Sequence, residues 1–161
     1  MAISEGDRIP DVKVAVPDDD GNPQPAQTGD LLSKGKVVLF GLPGAFTPGC
    51  SRAHLPGYVV KADELKAKGV DTIACTSVND AFVMHAWAAD QNVNGTIVMI
   101  GDGNGEFAKA MGREFDGSAI GLGTRSQRYA AVIEDGVVQK LFVEPAPGVT
   151  VSSAEHVLDN L

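Results

Sequence analysis

Cysteine is scarce: the 161 residues include two, Cys50 and Cys75. Two are too few for a disulfide scaffold or a four-ligand zinc site. There is no CxxC, and the three histidines (His54, His85, His156) form no HExxH, so no metal is expected. Basic charge is also short, with 13 Lys plus Arg against 21 Asp plus Glu and a net charge of −8. An acidic surface repels phosphate backbones, which argues against nucleic acid as a partner. No apolar run approaches the ~18 residues that span a bilayer. The opening MAISEGDRIP lacks the basic start and apolar stretch of a signal peptide. Repeats, low-complexity tracts and linkers are missing as well. The expectation is a cytoplasmic protein without membrane association, folded as a single domain over residues 1–161. A chain of this length buries roughly 70% of its unfolded surface and needs no covalent staple.

Glycine is plentiful, 19 residues, and falls between periodic segments as turns in a compact domain require. Val12–Val16, then DDDGN, then a run to Thr28 predicts an N-terminal β-hairpin. Lys36–Leu42 is a continuous apolar run expected of a central strand. After the loop PGAFTPG a helix is predicted to about Lys68, then a β-branched strand over Val70–Val78. Asp80–Gln91 has helical spacing, with Phe82, Val83, Ala86 and Trp87 on one face. Thr96–Ile100 predicts a strand and Glu106–Glu114 a short helix. Tyr129–Ile133 and Val137–Val143 flank Asp135–Gly136, a hairpin turn signal. Ser152-x-x-Glu155 predicts a capping box before a terminal helix. Strands alternating with helices imply an α/β sandwich with a mostly parallel centre. A closing hairpin plus helix is the arrangement of a thioredoxin-like fold.

The informative stretch is Pro43 to Cys50, between a buried strand and a helix. Thr47 before Pro48 predicts an N-cap with proline at the first helical position, which puts Cys50 at the third. A cysteine there sits among unpaired backbone N–H groups at the positive end of the helix dipole, and both favour the thiolate. The same atoms fit a plain cap with a packed thiol. His54, four residues on, allows a Cys–His nucleophile–base pair, or is a surface or interface histidine. Gly101–Gly112 lacks the lysine of a phosphate loop and is expected to be a turn capping the next helix; Asp18–Gly21 lacks the rest of a calcium loop and is expected to be a solvated turn.

PGAFTPGC has the Pro-x-x-x-Thr-x-x-Cys pattern of peroxiredoxins. GVDTIACTSVNDAFVMHAW, GLGTRSQRYAAVIEDGVV and VSSAEHVLDNL resemble the type II, peroxiredoxin-5-like subfamily. The resemblance runs over essentially the whole chain. It implies a thioredoxin-like fold and thiol-dependent reduction of hydrogen peroxide and alkyl hydroperoxides, without cofactor. Cys50 matches the peroxidatic cysteine, and Thr47 the threonine whose hydroxyl contacts sulfur and peroxide. Pro43 matches the proline that shields the site, and Arg128 the arginine that closes it. The N–H groups of Gly49 and Cys50 would support the same charges. For Arg125 a supporting ion pair or an exposed charge is expected. The resemblance also implies a homodimer, with Phe46, Phe82 and Val83 as interface candidates.

Cys75 lies 25 residues after Cys50, the spacing of plant-like type II members. In the vertebrate-like branch the resolving cysteine falls where this chain has Val151. Cys75 is therefore either the resolving thiol or a buried core thiol in the strand VDTIACTSV. In the second case an external thiol, from glutathione, glutaredoxin or thioredoxin, restores Cys50.

Overall fold

The computed structural model describes residues 2–161. Its frame is a seven-stranded sheet in the order β2-β1-β5-β4-β3-β8-β9. At its centre β3 (Lys36–Gly41), β4 (Thr72–Ser77) and β5 (Val98–Gly101) run parallel. β8 (Tyr129–Glu134) pairs antiparallel with β3, and β9 (Val137–Val143) with β8. The predicted N-terminal hairpin forms β1 (Lys13–Pro17) and β2 (Pro23–Gln27), with β1 antiparallel to β5. Pro23 and Pro25 lack an N–H, and their strand accordingly lies at the sheet edge.

Alternation along the strands divides two cores. Val38, Phe40, Ile73, Cys75, Ala130 and Val132 face one layer, with α2 (Leu55–Ala67), α3 (Ala81–Asp90) and α5 (Ala154–Asp159) over it. Val37, Leu39, Ala74, Ala131 and Ile133 face the other, with α1 (Thr28–Leu31) and α4 (Glu106–Met111). A strand buried on both faces reads as a continuous apolar run, which is why Lys36–Leu42 was legible as central. The thioredoxin-like α/β arrangement stands as expected.

Several local expectations change. The buried face of α3 is Ala81, Met84 and Trp87, while Phe82 is exposed and Val83 half-buried. The register is set by Asp80, whose side chain caps the helix by accepting from Val83 N–H at 2.8 Å. The helix predicted over Glu106–Glu114 ends at Met111. Gly112 (φ 67°) stops it, and Glu114–Asp116 (β6) then pairs with Thr124–Ser126 (β7) in a small second sheet. The terminal helix starts one residue late. Ser153, not Ser152, is the cap, accepting from His156 N–H at 3.1 Å. Asp135–Gly136 closes the β8–β9 hairpin with both residues at positive φ, 49° and 84°, the type I′ requirement. The Gly101–Gly112 stretch does cap α4: Asp102 accepts from the N–H groups of Phe107 and Ala108 at 3.0 and 2.9 Å. In the Asp18 turn, Asp18 accepts from Asp20 and Asn22 N–H at its own exposed tip.

Candidate active site

The loop after β3 climbs out of the sheet at the carboxyl ends of its parallel strands, where open α/β sheets place their sites. Leu42 N–H still donates to Thr76 O, and Ala45 N–H to Asn79 Oδ1 at 2.9 Å, so the loop is anchored to the end of β4. Phe46 takes a positive φ of 63° with its ring exposed, which turns the chain back toward the sheet. Helical winding starts at Pro48, as predicted. Cys50–His54 then form a π-helical turn, with Leu55 N–H reaching back to Cys50 O. Pro56 has no N–H to return to the preceding turn, and the widened π register accommodates that missing donor.

Thr47 occupies the cap position in backbone terms, since its carbonyl accepts from Ser51 N–H at 2.9 Å. Its hydroxyl does not cap. It donates to Gly44 O at 2.7 Å, which leaves the oxygen an acceptor toward anything bound beside it. The N–H groups of Gly49 and Cys50, at the second and third helical positions, have no intrahelical carbonyl to reach.

Cys50 is fully buried, and Arg128 Nη2–H points at its Sγ from 3.2 Å. Gly49 permits this approach, because a Cβ there would stand 3.1 Å from Nη2. The other arm of the guanidinium, Nη1–H, donates to His54 Nδ1 at 2.9 Å. His54 is buried too, rather than at the surface. Its Nε2–H donates to Ser152 O at 3.0 Å, and Phe40 and Tyr58 pack against its ring. Arg128 can only donate, so Nδ1 must be bare and the proton must sit on Nε2. Burial, and then the Arg128 charge, hold the His54 pKa down to about 3, so the ring is neutral. Both ring nitrogens are engaged, and neither is left to take a proton from Cys50. The Cys–His hydrolase pair is thus overturned.

Arg125 corrects a second expectation. It makes neither an ion pair nor a free surface charge: Nε–H donates to Leu122 O at 2.9 Å and Nη1–H to Pro43 O at 3.2 Å. It ties the β6–β7 hairpin to the half-buried Pro43. Gly44 leaves room for it, since a Cβ there would meet Nη1 at 2.5 Å.

Cys75 lies mid-β4, paired in register with Phe40 and Met99, and is fully buried. Burial, and then the neighbouring Cys50, push its pKa well up, so it stays a thiol. Sequence reasoning missed Ser152, whose carbonyl meets His54, Tyr58 of α2, which packs on the ring and bonds the same carbonyl, and Glu144, which holds Ser152. Nothing in PAPGVTVSS signals that Ser152 serves the site, because its part is played by a backbone carbonyl. Among the described residues, no three or more His, Cys, Asp or Glu are arranged to hold a metal, and no helix is long and apolar enough to cross a membrane.

A thioredoxin-like sheet presenting a buried thiol to an arginine, at the start of a helix, defines a thiol-based redox enzyme. Comparison with known proteins narrows the class. Residues 4–158 match the Redoxin family. The chain is 47% identical over 163 residues to chloroplastic Peroxiredoxin-2E of Arabidopsis thaliana, covering 99% of this chain and 70% of that one. It is 45% identical over 159 residues to Peroxiredoxin-2B of the same plant, covering 99% and 98%. Among solved structures, reduced Prx3 of Vibrio vulnificus in complex with hydrogen peroxide superposes with a TM-score of 0.92 at 48% identity, covering 98% of each chain. The chain belongs to the Redoxin family and is a type II peroxiredoxin, a thiol-dependent peroxidase.

Proposed function

We propose that Cys50 is the peroxidatic cysteine and that the protein reduces hydrogen peroxide and alkyl hydroperoxides through it. The observation that carries this assignment is the Arg128 Nη2–Cys50 Sγ contact of 3.2 Å in a buried setting. A guanidinium keeps its charge throughout, so it favours the thiolate before attack and the developing oxyanion during it. The Cys50 thiolate attacks one peroxide oxygen in line. The S–O bond forms as the O–O bond breaks, and the departing hydroxide or alkoxide takes a proton to leave as water or alcohol. Thr47 Oγ1 accepts a hydrogen bond from the bound hydroperoxide, and the Gly49 and Cys50 N–H groups donate to its oxygens. Pro43, held by Arg125, walls the pocket from water.

A second thiol then condenses with the Cys50 sulfenic acid, releasing water and forming a disulfide, which a further thiol reduces. We assign that second thiol to an external donor, glutathione with glutaredoxin, or thioredoxin. Cys75 is the less suitable partner: it is buried mid-strand and protonated, and reaching it would cost the β4 pairing. The functional unit is taken as one domain over residues 1–161. Two unpaired cysteines suit a reducing compartment such as the cytoplasm. A homodimer is proposed through the exposed Phe46 and Phe82 with Val83 beside them.

Intact mass after one equivalent of hydrogen peroxide, on wild type and Cys50→Ser, tests the scheme. Gain of one oxygen, convertible to a glutathione adduct and absent in Cys50→Ser, is expected. Loss of two hydrogens at unchanged oligomer size would instead make Cys75 the resolving thiol. No Cys50-dependent change would overturn the assignment of Cys50.

A further inference from the structure

A continuous set of hydrogen bonds leads away from the active-site arginine to the end of β9. Glu144, the residue after that strand, donates its N–H to Arg128 O at 3.0 Å, and its carboxylate turns toward the segment that precedes α5. There it accepts four hydrogen bonds. Oε2 takes Ser152 N–H at 2.8 Å, Ser152 O–H at 2.6 Å and Thr150 N–H at 2.8 Å, while Oε1 takes Thr150 O–H at 2.6 Å. Ser152 is thereby fixed in a fully buried position. Its carbonyl accepts from Tyr58 O–H at 2.8 Å and His54 Nε2–H at 3.0 Å.

That carbonyl decides the His54 tautomer. With Ser152 O in place, the proton belongs on Nε2 and Nδ1 is free to accept from Arg128. With Ser152 O displaced, Nε2–H would lose its acceptor, and the alternative tautomer would turn an N–H against the guanidinium N–H groups. Two donors facing each other push apart, and Arg128 would lose the anchor that aims Nη2 at Cys50. We propose that Glu144 is a positioning residue for the peroxidase reaction, setting the aim of Arg128 at Cys50 Sγ through Ser152 and His54. The inference rests on Cys50 as the attacking thiol.

Glu144→Gln keeps the size of the side chain but offers one acceptor oxygen where the carboxylate offers two. The expected result is a kcat/KM for hydrogen peroxide lowered about ten-fold, as for displaced but intact catalytic groups. The pH midpoint of Cys50 alkylation by iodoacetamide should rise in parallel. In an Arg128→Lys background the same substitution should add almost nothing, because the group it positions is gone. Glu144→Asp, which keeps both oxygens and the charge, should recover part of the loss. If Glu144→Gln does not fold, Ser152→Ala removes just one of the four bonds and should move both readouts the same way by less. A folded Glu144→Gln with wild-type kcat/KM and alkylation midpoint overturns the inference, as does an equal loss in the Arg128→Lys background. Full activity in Cys50→Ser would instead strike at the attacking thiol itself, a result distinct from an active Glu144→Gln beside an inactive Cys50→Ser.

Discussion

At the scale of single residues, the site combines one fixed charge with one suppressed charge. Arg128 is always cationic, and the neutral His54 beside it serves as acceptor rather than as a second cation. A protonated His54 would face a guanidinium at 2.9 Å inside the core, and the fold opposes that strongly. The opposition has a pH signature. His54 is held at about 3 in the folded protein against 6.5 when unfolded, so below pH 6.5 the unfolded chain binds a proton that the folded one refuses. Stability should therefore fall as pH drops through that window, by about 1.4 kcal/mol per pH unit from this group. Glu144 acts in the same direction at lower pH. Burial opposes its charge, but hydrogen bonds from Ser152 and Thr150 win and hold it at about 2 rather than 4.5, so its contribution is lost between those values. Urea midpoints from pH 6.5 to 4.5 check this. Wild type should lose stability across the range and His54→Gln should show a flatter profile; parallel profiles would contradict the assignment.

At the scale of elements, the π-helical turn Cys50–His54 is the piece on which chemistry and structure meet. Trp87 of α3 donates its indole N–H to Ser51 Oγ at 2.9 Å, one residue from Cys50, and it is the sole tryptophan of the chain. Cys50 is fully buried, so an added oxygen is expected to shift this turn, and the Trp87–Ser51 bond ties the turn to α3. Tryptophan emission is therefore expected to change within the time course of oxidation by one equivalent of peroxide, and to stay constant in Cys50→Ser. Constant emission in wild type during full conversion to the sulfenic acid would show that the turn holds its shape. The elements also show how far local pattern reached. The helix start at Thr47–Pro48 was legible because proline fixes its own φ at the first helical position, although the Thr47 hydroxyl turns to Gly44 O instead of capping. The face of α3 was not, because Phe82 and Met84 are both apolar and only the packing against β4 and β5 chooses between them.

At the scale of the whole molecule, a net charge of −8 disfavours association, yet two phenylalanines stay exposed near the active-site loop. Phe46 is 54% exposed and Phe82 60% exposed, and Asn79, bonded to Ala45, brings their two loops together. If this face is the dimer contact, Phe82→Asp should halve the mass measured by light scattering at micromolar concentration and leave the fold intact by circular dichroism. A variant of unchanged mass would overturn this face as a dimer contact.

Sequence alone determined the α/β layering and the Pro43–Cys50 loop, with Cys50 as the candidate nucleophile, through period and turn chemistry that act over a few residues of chain. Thr47 and Arg128 entered as candidate site residues through the resemblance of the whole chain to peroxiredoxins. Tertiary structure alone decided what His54, Arg125, Glu144 and Ser152 do. His54 and Ser152 are 98 residues apart, and Arg125 and Pro43 are 82 apart. Arg125 and His54 reach backbone carbonyls, which every residue type carries, and Glu144 meets Thr150 and Ser152 six and eight residues on without any helical or strand spacing, so no side-chain pattern in the chain announced these contacts.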